Sequence, residues 1–188
     1  MDYRIRCWDG SPIFVEYHDN EWGRPVHDDI KLFEMLTLES MQAGLSWITV
    51  LNKREAFREA FDGFDFNRIA LYGDEKITEL MSNEKIIRNK LKIFATVNNA
   101  GAVLKIIEEY GSFDKFIWGY ADNKPARDFD GWVSKTPLSD RISKDLKKKG
   151  FKFVGSTTVY SFMQATGIVN DHIESCFVYE ELTRDARS

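Results

Sequence analysis

The sequence predicts an all-α fold, a compact multi-helix domain, on three observations. Apolar residues recur at three- and four-residue spacing, over the longest stretch at 86–110. Gly, Pro, Asn, Asp and Ser fall between such stretches as caps and stops. Two-residue alternation surfaces only around Phe151–Val154, so strands have little support. A chain of 188 residues, 43% hydrophobic and 30% charged, can bury a real core in one domain or two small lobes.

Residues 1–28 read as irregular, broken by Gly10, Pro12, Gly23 and Pro25, with Ile13-Phe14-Val15 as a short extended or helical piece. Asp28 or Asp29 caps a helix that runs to about Ala43 and stops at Gly44. Ser46 caps a second, from Trp47 to about Phe61, closed by Gly63 and Asp65; the two make an αα-hairpin. Short helices follow at about 67–71 and 74–81. The 86–110 helix stops at Gly111-Ser112, and a short aromatic helix covers Phe113–Tyr120. Asp122–Pro137 reads as a loop, 139–149 as a basic helix ending at Gly150, and 155–166 as a helix ending at Gly167. Leu80–Lys92, a helix, a turn and a helix, suits a helix-hairpin-helix holding one phosphate strand through Arg88, Lys90 and Lys92, although most such steps are only connections.

No apolar run approaches the roughly 20 residues of a membrane span. The first residues lack the apolar core of a signal peptide. A cytoplasmic protein with no membrane partner is expected. The net charge of −4 does not advertise a nucleic-acid binder. Two basic islands stand out locally, Arg141–Lys152 with six bases against Asp145, and Lys85–Lys92 with four bases and no acid. Each suits phosphates or a solvated helix face.

Glu39 is the residue out of place. At 100° per residue it shares a stripe with Leu32, Met35, Leu36 and Ala43, inside the apolar arc. A carboxylate there must bend out to water, find a partner, or face a lined cavity. Tyr17, Trp22 and Trp47 lie near it in sequence, and Trp8 and Phe14 could join them as cavity walls or as plain core. Aromatic walls around one carboxylate suit a flat heteroaromatic ligand. Cys7, His18, His172 and Cys176 form a Cys₂His₂ set, the donors a closed tetrahedral zinc site takes. His172 and Cys176 are four apart, on one helix face or one turn; Asp19 and Asp171 are candidate partners of the two His, or exposed acids. Spacing alone leaves open whether the four meet. His27 is read as surface.

The runs Arg6-Cys7-Trp8, Tyr17-His18-Asp19-Asn20-Glu21-Trp22-Gly23, Leu32-Phe33-Glu34-Met35, Leu38-Glu39, Gln42-Ala43-Gly44-Leu45-Ser46-Trp47, Ile86-Ile87-Arg88-Asn89-Lys90, Leu146 through Gly155, Tyr160 through Ala165 and Gly167 through His172 resemble, in order and over nearly the whole chain, the 3-methyladenine DNA glycosylase I family of the helix-hairpin-helix superfamily. The resemblance implies a single bilobal catalytic domain over 1–188, with a helix-hairpin-helix and one structural zinc ion tying the termini together. It implies Cys7, His18, His172 and Cys176 as metal ligands and Glu39 as the carboxylate that reads the base. Tyr17, Trp22 and Trp47 surround that carboxylate, with Trp8 and Phe14 close by. Phe14 stands where the family commonly has Tyr. Expected partners are alkylated double-stranded DNA and the 3-methyladenine base, with Arg88, Lys90, Lys149 and Lys152 on the DNA backbone and no organic cofactor; a monomer is expected. The implied reaction is monofunctional: 3-methyladenine is flipped out, its glycosidic bond is hydrolysed, and an abasic site remains. Two rivals are a zinc-stabilised damage sensor without cleavage and a helical protein binding a small nucleobase or methylated cation. Release of free base separates the first, and salt-insensitive DNA affinity marks the second.

Overall fold

Helix α2 (Asp29–Gln42) is the axis of the molecule, because every residue from Leu32 to Met41 is buried. Asp28 caps it, accepting from the Lys31 amide at 2.8 Å. The stripe expected from the sequence is therefore incomplete: α2 has no solvent face over these residues, and α3, α7, α8 and α10 pack around it. The computed structural model describes residues 4–122 and 133–185. Among them the α-helices are α1 (Pro12–Asn20), α2, α3 (Trp47–Leu51), α4 (Arg54–Ala60), α5 (Phe66–Ile69), α6 (Asp74–Ser82), α7 (Lys90–Tyr110), α8 (Phe113–Trp118), α9 (Pro137–Lys148), α10 (Ser156–Ala165) and α11 (Phe177–Asp185), with 3₁₀ turns at Asp62–Phe64 and Gly119–Ala121. The helices agree with the all-α expectation, and no described helix is long and apolar enough to cross a membrane. Most of the expected Asp122–Pro137 loop lies outside the described residues.

Several expectations are corrected. The supposedly irregular N-terminal segment holds a nine-residue helix, α1. Ser11-Pro12 carries the start signal, since Pro at the first helical position is pre-set for the helix. The helix expected from Trp47 to Phe61 breaks at Asn52-Lys53, where Lys53 adopts φ −102°, ψ 0°. The long helix starts at Lys90, not at residue 86, because the Asn89 side chain accepts from the Lys92 amide and caps it there. Residues 151–154 are a turn, with Phe153 at φ +55°, rather than a strand. Residues 171–176 are not helical, and α11 had no sequence expectation.

The N-terminal and C-terminal segments meet. Gly23 donates to Gln164 O at 3.0 Å, Val26 to Thr166 O at 3.0 Å, and Phe177 to Ile5 O at 3.1 Å. Gly167, at φ +73°, lies so near the Arg24–Pro25 backbone that an added Cβ would fall 2.5 Å from Arg24 C, so only glycine fits this crossing.

Candidate active site and metal centre

A cavity of about 470 Å³ opens beside α2, lined by Trp8, Phe14, Tyr17, Trp22, Glu39, Gln42, Trp47, Val133, Ser161 and Gln164. All six residues expected around a base are thus brought together. Tyr17 and Trp47 meet with ring centroids 5.3 Å apart. Trp8 stacks on Phe14 at 5.5 Å and edges onto Trp22 at 4.5 Å. Gln42, Val133, Ser161 and Gln164 were missed. Ser161 and Gln164 lie three apart on α10 within an apolar run, the same signal of a polar group on a buried face that marked Glu39.

Among the described residues, Glu39 Oε2, Tyr17 OH and Trp47 Nε1 are buried at this cavity without a hydrogen-bond partner. Leaving such groups dry and unpaired costs a few kcal/mol each, so their convergence marks a surface shaped for a polar ligand. Burial pushes the Glu39 carboxyl up to about 8, so at neutral pH it is mostly protonated in the free protein. Burial also raises the Tyr17 phenol well above its ordinary range, with Glu39 and Glu21 adding to the effect, so Tyr17 stays a neutral donor. Arg54 holds Glu21 through paired bonds of 2.8 and 2.7 Å, keeping that second acid committed outside the cavity.

Helix α1 links this cavity to a second site. Consecutive helical residues point about 100° apart: Tyr17 lines the cavity, whereas buried His18 joins Cys7, His172 and Cys176 in a cluster whose donor atoms all lie within 4.8 Å of one another. Cys7 Sγ is 3.3 Å from His172 Nδ1; Cys176 Sγ is 3.5 Å from both His18 Nε2 and His172 Nδ1. Tetrahedral zinc at ordinary bond lengths places its ligand atoms about 3.5 Å apart, so this donor set fits such an ion. The other imidazole nitrogens are held from outside: His18 Nδ1 by Asp19 at 2.8 Å and His172 Nε2 by the Trp22 carbonyl at 2.9 Å. Burial works against the Asp19 carboxylate, but hydrogen bonds from Arg6 and His18 outweigh it and keep its pKa low. Burial lowers His172 to about 4, the neutral form a ligand needs, and raises the Cys7 thiol, a penalty that a cation among the donors would relieve. Gly23 sits at φ +76°, and a Cβ there would lie 2.6 Å from His172 Nε2. Asp171 does not act as expected: it accepts from Tyr160 OH and Gln164 Nε2 and not from the His172 ring.

The basic residues divide. Arg88, Lys90 and Lys152 are exposed, with a loose 3.7 Å pairing between Arg88 and Glu84. Lys149 is engaged with Glu109. Lys92 is corrected: it is 6% exposed, with its ammonium turned inward. Two seven-residue connections join helix pairs, 83–89 between α6 and α7 and 149–155 between α9 and α10. The second is the more firmly held, because side chains bind four of its carbonyls: Asn98 holds Gly150 O, Asn99 Lys152 O, Ser40 Phe153 O and Ser143 Val154 O. His27, as expected, is exposed, pairs with Asp114 and packs on Trp118.

An aromatic cavity around one buried carboxylate, on a frame that is helical among the described residues, suits a flat heteroaromatic ligand, the kind of group a base-flipping enzyme binds. The family model for methyladenine glycosylase matches residues 7–179, and the chain belongs to that family. It is 46% identical over 173 residues to DNA-3-methyladenine glycosylase 1 of Escherichia coli (strain K12), covering 90% of this chain and 92% of that protein. A crystal structure of 3-methyladenine DNA glycosylase I (TAG) superposes with a TM-score of 0.86 at 49% identity, covering 93% of this chain and 98% of that one. A crystal structure of a variant of a second 3-methyladenine DNA glycosylase I (TAG), in complex with 3-methyladenine, superposes with a TM-score of 0.87 at 39% identity, over 90% of this chain and 93% of that one.

The raised Glu39 pKa has a stability consequence. The unfolded chain ionises Glu39 near 4.5 and the folded chain near 8, so wild-type stability contributed at this site falls as pH rises between those values. Relative to wild type, Glu39→Gln is expected to gain about 1.4 kcal/mol per pH unit across that window and to level off above it, read by urea denaturation at a series of pH values.

Proposed function

We propose that this chain is a DNA base-excision repair glycosylase that removes 3-methyladenine from alkylated duplex DNA, and that Glu39 reads and stabilises the base. The observation that carries the assignment to Glu39 is its orphaned, buried oxygen among the aromatic rings of the cavity. The names of the chain's relatives, 3-methyladenine glycosylases, support the substrate.

The chemistry follows from charge. N3-methylation makes adenine cationic while it is still attached to the sugar. Flipped into the cavity, the cationic ring stacks on Tyr17 and Trp47, whose faces attract positive charge. Its charge lowers the pKa of Glu39 again, so the proton held by the empty site leaves as the lesion enters. The carboxylate then accepts from the exocyclic amine and balances the cation; Tyr17 OH and Trp47 Nε1 supply donors. The N9–C1′ bond breaks with its electron pair going to the base, which departs neutral. Water adds to the positively charged C1′ and loses a proton, leaving an abasic site. Because the base is already a good leaving group, no strong general acid is required. Guanine presents a carbonyl where adenine presents an amine, so Glu39 as an acceptor disfavours it.

One zinc ion is assigned to Cys7, His18, His172 and Cys176. Four protein ligands leave no open position, so its role is structural: it fixes the termini and, through Trp22 and α1, the cavity wall. The DNA backbone is assigned to Arg88, Lys90 and Lys152 and to the 149–155 connection. There α10 begins at Gly155 without a side-chain cap, leaving first-turn amides available to a phosphate. Lys149 contributes less, since Glu109 already holds it.

Incubation with methylated DNA should release free 3-methyladenine, and Glu39→Gln should cut the single-turnover rate by about 10² or more; full excision by that variant would sink the assignment of Glu39. Elemental analysis should find one zinc per chain, lost in Cys176→Ser together with thermal stability. In salt titrations of DNA binding, Lys152→Ala should reduce the log–log slope by about one, and Lys149→Ala by clearly less.

A further inference from the structure

Helix α7 carries a buried polar stripe that the cavity and the metal cluster do not use. Lys92, Thr96 and Asn99 recur at i, i+4 and i+7 and are 6%, 3% and 4% exposed. Lys92 Nζ donates to Met41 O at 2.8 Å and to Ala43 O at 2.7 Å. These are terminal carbonyls of α2, at the negative end of its dipole, where a cation is favoured. Lys92 makes no ion pair among the described residues. Its amide is in turn held by the Asn89 cap, so the start of α7 and the end of α2 are tied through Lys92 itself. Asn99, two turns further along the same face, pairs with Lys152 in both directions: Nδ2 donates to Lys152 O at 2.9 Å and Oδ1 accepts from Lys152 N at 2.8 Å. Thr96 only returns to Lys92 O within its own helix.

We propose that α7 aligns the base cavity with the backbone-binding turn, with Lys92 and Asn99 as positioning residues. Lys92 sets the last turn of the helix that carries Glu39 and the Ala43–Ser46 segment leading to Trp47. Asn99 sets the 149–155 turn about 10 Å away along α7. Ser40 closes the triangle: its hydroxyl lies 2.8 Å from Leu36 O and 3.1 Å from Phe153 O, joining the neighbour of Glu39 directly to that turn. A phosphate gripped at 149–155 and a base seated at Glu39 are thereby held at one separation. This rests on the glycosylase reading above and adds two residues whose side chains need not touch DNA.

Three variants test it on alkylated and undamaged duplexes, well below each melting temperature. Lys92→Met keeps the aliphatic stem and removes both carbonyl bonds. It is expected to lower the saturated single-turnover rate at least about tenfold, because small misplacements of reacting groups are costly, while duplex affinity and salt slope stay unchanged. Asn99→Ala is expected to give the opposite split, weakening duplex affinity about fivefold or more with the saturated rate within about twofold. Thr96→Val should leave both unchanged, which separates alignment from general loosening of α7. A wild-type rate for Lys92→Met overturns the proposal, as does loss of affinity with a slope lower by about one, the mark of a direct phosphate contact. If Lys92→Met does not fold, Asn99→Ala decides: loss of rate with affinity intact, or no change in either, overturns it. If the wild-type protein releases no base, the activity reading fails; alignment is then read from free 3-methyladenine binding followed by tryptophan fluorescence, which Lys92→Met weakens and Asn99→Ala leaves alone.

Discussion

Burial of α2 on every side from Leu32 to Met41 is the constraint on which the rest of the structure depends. A helix with no wet face must find a partner for each polar side chain or bear the cost of desolvating it. Glu34 takes Arg58 and Lys31, and Ser40 takes backbone carbonyls at both ends of its reach. Glu39 is left with an unpaired oxygen, and the cavity lies where that oxygen is. The cavity is therefore the place where the interior leaves a buried carboxyl oxygen unpaired among the described residues.

The same burial sets the charge of the cavity. A mostly neutral Glu39 beside a neutral Tyr17 gives an aromatic cavity with little field, into which a neutral undamaged base gains no electrostatic advantage. On the proposed function, a cationic base changes the protonation state of the site as it enters. On the proposed function, discrimination then comes from the charge of the lesion as well as from the shape of the base, and the low dielectric that makes the free acid costly makes the ion pair effective.

The Cys/His cluster and the cavity share a wall. Tyr17 and His18 are consecutive on α1; Trp22 lines the cavity with its ring and fixes His172 with its carbonyl. Gly23 is needed so that the backbone can come this close to the imidazole. The cluster and the aromatic rings are in this way joined through shared backbone, with none of Cys7, His18, His172 and Cys176 lining the cavity.

Much of this was legible in the sequence. Helical periodicity, Asp28 before α2 and Gly111 after α7 define elements because propensity, caps and apolar faces are local properties. Glu39 was conspicuous because its helical position conflicts with its charge, and the Cys₂His₂ set was conspicuous by chemistry alone. Tertiary structure decided the rest. Local patterning could not tell that α2 is enclosed all round, since a helix's outer face is dry only if other elements cover it. It could not separate Lys92 from Lys90 and Arg88, because the same ammonium either meets solvent or caps a distant helix according to where that helix ends. Nor could it place Ser161 and Gln164 at the cavity, or let Cys7 meet His172 across 165 positions of chain, because such meetings are settled by packing between elements and not by residues near in sequence.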